Sequence, residues 1–326
     1  MKHVKVYGTL GPSCGTVLTL QRMFDEGMDG MRLNLSHTTL EQAAPLIEAY
    51  HSAANACGVC GELLIDLMGP ELRIGVPDQP ILLNEGEAVT AASLPFPGEV
   101  TDALKTAPDG QELLLDDGKL LLTKLDENRL RVVRGGMLKS RKSIALVGIS
   151  IDTPALTEQD LINLKLAKSF GVTGVMQPFV RGMDDLKSVH AALNSFGASD
   201  LRLLAKIETK EGMQKLLEIL PHCDEIVIAR GDLGNAMPLW ELPAAQKRIE
   251  TSCLSFGRAF MVVTQMLDSM THRAVPTRAE VSDIFNAVLD GASSVMLTGE
   301  TAAGDYPVEA IRYMARTVRE AEAFLS

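Results

Sequence analysis

The chain has 326 residues, of which 46% are hydrophobic, and 42 acidic against 31 basic side chains give a formal charge of −11; this is enough apolar material for roughly two domains. No lysine or arginine run is present, which excludes the clustered basic face that nucleic-acid backbones require, so any anionic ligand must be held by local charge. No apolar run approaches the ~20 residues of a bilayer span, and Met1-Lys2-His3 leads into a strand pattern without a signal-peptide core; a cytoplasmic protein with no membrane partner is expected.

In chain order, strands are predicted over Val4 to Tyr7, Gly30 to Leu35 and Leu63 to Leu67, separated by helical patterns over Thr16 to Glu26 and Leu40 to Asn55. Between Arg73-Ile74-Gly75 and Val147-Gly148 the helical period disappears. Strand-like pieces take over at Glu112 to Leu115, Lys119 to Lys124 and Arg129 to Val133, which predicts a small β domain at 76–147 inserted after strand three. Five more strands follow, over Gly174 to Phe179, Leu203 to Ile207, Ile226 to Ala229, Phe260 to Thr264 and Ser294 to Leu297. Helices are expected over Glu158 to Ser169, Met183 to Ser195, Pro243 to Ser255, Val281 to Leu289 and Pro307 to Ala323. Eight buried strands alternating with helices describe an α/β fold of the (β/α)8 TIM-barrel type, formed by 1–75 and 148–326, better than an open sheet. The methionines and Trp240 suit core and interface packing.

Five cysteines (Cys14, Cys57, Cys60, Cys223 and Cys253) form an odd, sparse set that fits free thiols in a reducing compartment. Cys57-x-x-Cys60 lies between a helix and a strand, whereas redox pairs sit where a strand enters a helix.

Charged residues collect just after the predicted strands, where barrel enzymes build their active sites. These ends read Arg32-Leu33-Asn34-Leu35-Ser36-His37, Asp66-Leu67-Met68-Gly69-Pro70-Glu71-Leu72-Arg73, Lys206-Ile207-Glu208, Ala229-Arg230-Gly231-Asp232-Leu233-Gly234, Thr264-Gln265 and Thr298-Gly299-Glu300-Thr301. Residues two apart in a strand share a face, so Lys206 and Glu208 point into one space. Asp232 could complete a site for Mg²⁺, a hard ion that two carboxylates, water and substrate oxygens suffice to bind. Gly231 to Gly234 is expected to form a compact turn whose amide groups converge on an anion. Gly11-Pro12-Ser13-Cys14-Gly15 matches a nucleophile-elbow spacing, with Ser13 as the nucleophile of a hydrolase, but it follows the first strand and no Asp and His pair has a marked context. A P-loop reading fails because Leu113 stands where that motif needs glycine before Gly118-Lys119.

These strand ends resemble the pyruvate kinase family. The matching stretches occur in family order across nearly the whole chain: Thr9 to Ser13, Arg32 to His37, Gly69 to Gly75, Asp116-Asp117-Gly118, Lys206 to Glu208, Ala229 to Gly234, Thr264 to Met270, Pro276 to Glu280 and Gly299 to Ala302. The resemblance implies phosphoryl transfer from phosphoenolpyruvate to ADP, giving pyruvate and ATP, assisted by Mg²⁺ and K⁺. It implies Lys206 and Arg32 beside the transferring group, Glu208 and Asp232 on Mg²⁺, and Gly231, Asp232 and Thr264 on the substrate carboxylate, with Thr264 near the route of enolate protonation. It further implies K⁺ on Asn34, Ser36, Asp66 and the Leu67 carbonyl, with Glu71 accompanying K⁺ dependence, and nucleotide contacts from Pro12, His37, Arg73 and Lys142. A homodimer paired through barrel helices and, with no effector domain expected after Ser326, near-hyperbolic saturation complete the expectation.

The chain departs from the family pattern at Leu67-Met68 (Thr-Lys in the family), at Gln177-Pro178-Phe179 (an Ala-Ser-Phe-like stretch), at Ala145 and at Phe260, and its lid is short. Alternative functions are a diverged barrel acting on another enol phosphate or on a 2-oxo acid, and a non-catalytic metabolite-binding relative.

Overall fold

The structure is a computed structural model that describes residues 3–116, 118–149, 151 and 153–326. Asp117 of the Asp116-Asp117-Gly118 stretch lies outside the described residues. The chain forms two compact units. One consists of the chain up to Gly69, Ala155–Arg230 and Pro243–Ser326; the other consists of Pro70–Pro154 and Gly231–Leu242.

The first unit opens with strand β1 (Lys5–Thr9), helix α1 (Val17–Glu26), β2 (Gly30–Asn34), α2 (Ala44–Cys57) and β3 (Glu62–Asp66). Helix α1 starts where the Thr16 side chain accepts from Thr19 N and stops at Gly27, whose φ of 109° only glycine adopts readily. In the second unit, β4 (Ile81–Leu83) and β9 (Gly136–Leu138) make a two-stranded ladder. β5 (Ala88–Thr90), β6 (Glu112–Leu115), β7 (Leu120–Lys124), β8 (Arg129–Arg134) and β10 (Ile144–Leu146) form an antiparallel sheet in the order β10-β6-β7-β8-β5. The alternation Leu113, Leu115, Leu122, Leu130 and Val132 faces one buried side, which is why the period-two pattern was legible.

The expectation that helical structure is absent from this insert is corrected by α3 (Gly98–Thr106). It is short, starts after Pro97 and is completed from elsewhere: the buried Lys124 ammonium donates to the Leu104 and Ala107 carbonyls at its C-terminal end.

The first unit resumes with α4 (Glu158–Leu166), β11 (Gly174–Gln177), α5 (Met183–Ser195), β12 (Arg202–Ile207), α6 (Lys210–Gln214), α7 (Leu216–Ile219) and β13 (Glu225–Ala229). After α8 (Arg230–Asn235) come α9 (Leu242–Phe256), β14 (Ala259–Val263), α10 (Arg278–Leu289), β15 (Ser294–Met296), α11 (Gly299–Ala302) and α12 (Pro307–Phe324). The eight barrel strands close in the order β1-β15-β14-β13-β12-β11-β3-β2, with every neighbour parallel. Trp240, in the second unit, is exposed and takes no part in a core.

Alternate residues of each strand fill the barrel in layers. The lowest is polar: Lys5 and Arg202 bond Glu62, Tyr7 Oη donates to Glu62 at 2.6 Å, Arg202 also reaches Glu225 at 2.5 Å, and Ser294 Oγ donates to Glu225 at 2.6 Å. Burial alone would raise the Glu62 carboxyl, but Lys5, Tyr7 and Arg202 outweigh it and hold it below the usual range. For Glu225 burial dominates and pushes the carboxyl up. The middle layer is apolar, with Leu64, Met176, Leu204, Val227, Met261 and Met296 fully buried around the Tyr7 ring. Two residues further along β3 and β12 the side chains are charged, at Asp66 and Lys206, whereas β13 and β14 carry the apolar Ala229 and Val263 there.

Candidate active site

Strand register sets the charged layer: Asn34 pairs with Asp66 between β2 and β3, and Lys206 with Val227 between β12 and β13. Asp66, 1% exposed, is its centre. Arg32 Nε and Nη2 donate to Asp66 Oδ2 at 2.8 and 2.7 Å, and Lys206 Nζ lies 3.0 and 3.2 Å from its two oxygens. Lys206 Nζ also stands 3.0 Å from Glu208 Oε1, so the two residues expected to share a face do so. Glu208, 1% exposed, is fixed on its other side by Phe179 N, which donates to Oε2 at 2.7 Å. Arg32 Nη1 reaches Thr9 Oγ1 at 3.4 Å. Two cations and two carboxylates in a nearly dry layer are a poor route to stability, because desolvation offsets most of their attraction. Such a set is a place where charge can be handled.

The turn that leaves β3 is held from behind. Asp160 on α4, fully buried, accepts from Met68 N at 2.9 Å and Gly69 N at 3.0 Å, while the same carboxylate accepts from Thr157 N and Oγ1 at 2.9 and 2.8 Å in a capping box. The sequence carries this as the capping-box spacing Thr157-x-x-Asp160, a local signal for the start of α4 that does not point to the β3 turn. Gly69 has φ +59°, and a Cβ there would lie 2.6 Å from Pro178 Cγ. Pro178, at the departure on strand four, is therefore a packing partner of the turn. It ends β11 at Gln177, short of the expected Phe179, and Phe179 takes φ +50° as its N–H meets Glu208. Asn34 pairs in register with Asp66, and Asn34 Oδ1 accepts from Ser36 N at 3.1 Å; with the Leu67 carbonyl these residues offer oxygen donors alone. Such a donor set fits a weakly charged alkali cation.

After β14, Thr264 and Gln265 both have positive φ, +81° and +55°. Each such non-glycine conformation costs about 1–3 kcal/mol and persists only where the surroundings impose it. Leu267 N is held by the buried Glu300 at 3.1 Å, and Glu300 in turn accepts from Thr298 N at 2.7 Å. Gly231 and Asp232 do not form the expected turn: they lie in the first turn of helix α8, because the chain winds directly from β13 into a helix at Arg230. Pro12 and His37 are exposed, and among the described residues no histidine or carboxylate bonds Ser13 Oγ, leaving the hydrolase arrangement without its partners. Cys14 is buried, which pushes its thiol up to about 11.

In the second unit, Glu71 bonds Arg73 Nη2 at 2.7 Å and Nε at 3.1 Å, and Arg73 Nη1 donates to the Arg141 carbonyl at 2.9 Å. Lys142 Nζ sits 2.7 Å from Asp116; burial would raise that carboxyl, but Lys142 and Lys119 hold it below its ordinary range.

The sequence model of the family described as "Pyruvate kinase, barrel domain" matches residues 1–311. The chain belongs to the pyruvate kinase family. It is 36% identical over 334 residues to the pyruvate kinase of Methylorubrum extorquens, covering 98% of this chain and 69% of that one. It is 34% identical over 332 residues to that of Chlamydia muridarum, with 98% and 69% covered. With the enzyme of Geobacillus stearothermophilus it shares 35% identity over 327 residues, covering 96% of this chain and 56% of the relative. As a member of a kinase family it is an enzyme of the phosphotransferase class, and the closed parallel barrel is the architecture that membership requires. Among the described residues no helix is long and apolar enough to cross a membrane.

Proposed function

We propose that the chain transfers the phosphoryl group of phosphoenolpyruvate to ADP, giving pyruvate and ATP in the cytoplasm, with Mg²⁺ and K⁺. The observation that carries this reading is the Arg32–Asp66–Lys206–Glu208 cluster at the C-terminal end of a barrel of this family. Phosphoryl transfer has a loose transition state whose charge must be neutralised and whose ends must be aligned. Two cations fixed through Asp66 are preorganised for that, so they need not reorient as charge develops. In this reading Lys206 also stabilises the enolate left by the departing phosphoryl group. The amides of Gly231 and Asp232, with Thr264, receive the substrate carboxylate, and Thr264 lies on the proton's route to the enolate.

Glu208 and Asp232 would hold Mg²⁺, and Asn34, Ser36, Asp66 and the Leu67 carbonyl would hold K⁺. When bound, these ions supply charge neutralisation at the phosphoryl oxygens. Only the Leu67 carbonyl is needed, so leucine in place of the family's threonine is consistent with the set. Glu71 accompanies K⁺ dependence, and the nucleotide is assigned to Pro12, His37, Arg73 and Lys142 by family resemblance. A homodimer through barrel helices belongs to the same reading.

The test is purified protein with phosphoenolpyruvate and ADP, following pyruvate through a coupled dehydrogenase. ADP-dependent pyruvate formation requiring both ions is expected. Equal rates in Na⁺ and K⁺ buffers would remove the K⁺ assignment. Folded protein that turns over nothing with both ions present would overturn the reading in favour of a non-catalytic relative.

A further inference from the structure

Thr264 occupies a left-handed conformation next to a second one at Gln265, and something must hold it there. The side chain that does so is Arg230, the first residue after β13. Its Nε and Nη2 donate to the Thr264 carbonyl at 3.1 and 2.8 Å, Nη2 also lies 2.9 Å from Met266 Sδ, and Nη1 bonds Asp283 of α10 at 2.7 and 2.9 Å. The guanidinium is only 12% exposed on its side chain. An arginine at the end of a barrel strand, beside residues assigned to an anion, would ordinarily be read as an anion ligand. Here its fork is committed to backbone, sulfur and carboxylate inside the barrel unit.

We propose that Arg230 is a positioning residue, oriented by Asp283, that keeps Thr264 in its left-handed conformation and thereby sets where the threonine hydroxyl stands. The catalytic consequence rests on the role given to Thr264 under the proposed function; the conformational part does not. Without the two bonds to its carbonyl, Thr264 relaxes toward negative φ, where a β-branched residue is far more comfortable, and its hydroxyl shifts. A displacement of about 1 Å at a reacting group costs about 10²-fold in rate. Lysine cannot replace the fork, because it offers a single point charge.

The experiment compares wild type with Arg230→Met, Arg230→Lys and Asp283→Asn by two readouts. Amide hydrogen exchange in the peptide spanning Thr264 to Asp268 should quicken about tenfold or more in Arg230→Met, with α1 unchanged as a control for folding. The value of kcat for pyruvate formation should fall about 10²-fold in Arg230→Met and about tenfold or more in Arg230→Lys, while KM for phosphoenolpyruvate moves less than fivefold. Asp283→Asn, which keeps the guanidinium, should show a smaller rise in exchange and a kcat loss of severalfold, and it decides the matter if Arg230→Met does not fold. Unchanged exchange in both Arg230→Met and Asp283→Asn overturns the inference. So does a loss confined to KM, which would make Arg230 a substrate ligand. A wild type without phosphoenolpyruvate activity would defeat the proposed function, and the exchange result would then decide the positioning role by itself.

Discussion

Replacing Asp160 by alanine asks whether one buried carboxylate holds both the start of α4 and the turn leaving β3. The change deletes the acceptor of four bonds, from Met68 N, Gly69 N, Thr157 N and Thr157 Oγ1. Leaving a buried N–H without a partner costs about 1–3 kcal/mol; Gly69 N is buried and Met68 N partly so, which places the pair at about 2–4 kcal/mol by that rule. Loss of the bonds from Thr157 N and Oγ1, the carboxylate half of the capping box, adds about 1 kcal/mol. Asp160→Ala should therefore destabilise the chain by about 3–5 kcal/mol, against about 1 kcal/mol for Thr157→Ala, which removes the capping hydroxyl and leaves the clamp on Met68 and Gly69. Urea unfolding of the two variants at neutral pH, with equal m values, measures the difference. If Asp160→Ala lies within about 1 kcal/mol of Thr157→Ala, the bonds to the turn contribute nothing and the argument fails. Because Met68 and Gly69 directly follow Leu67, Asp160→Ala should also raise the K⁺ concentration for half-maximal activity severalfold, and Thr157→Ala should not.

Lys206→Met should lower kcat by at least ~10³ with a smaller change in KM, since a preorganised ammonium acts chiefly in the transition state; a variant with near wild-type kcat would remove Lys206 from the chemistry. Gly69→Ala places a Cβ 2.6 Å from Pro178 at φ +59°, so it should destabilise by about 2 kcal/mol or more, and Gly69→Ala combined with Pro178→Ser should cost less than Gly69→Ala alone. Additive losses in that pair would refute the contact. Glu62 is held below its ordinary range by Lys5, Tyr7 and Arg202 against burial, so its contribution is present above the unfolded carboxyl value of about 4.3 and lost as pH falls through the lower folded value. The stability gap between wild type and Glu62→Gln, about 2 kcal/mol at neutral pH, should then close in acid; a gap that stays constant down to low pH would contradict the assignment.

The amino-acid sequence by itself determined the barrel. All eight barrel strands lie within two residues of their expected bounds, and Met183–Ser195 is the helix expected, because burial of alternate aliphatic residues and the helical period are local signals that the chain carries wherever it folds. It also marked Lys206 and Glu208 as a pair, since their spacing alone puts them on one face. Only the tertiary structure decided that Asp66 is the hub of the charged layer, since it lies 140 residues from Lys206. Likewise it decided that Asp160 reaches back to the β3 turn, and that Arg230 faces the Thr264 carbonyl. Helix α3 depends on Lys124 supplied by a strand that follows it, and the turn expected at Gly231 to Gly234 became a helix because β13 runs straight into it. A charged side chain's partner is fixed by barrel closure and strand register, which bring distant residues within 3 Å; no window of sequence contains that distance.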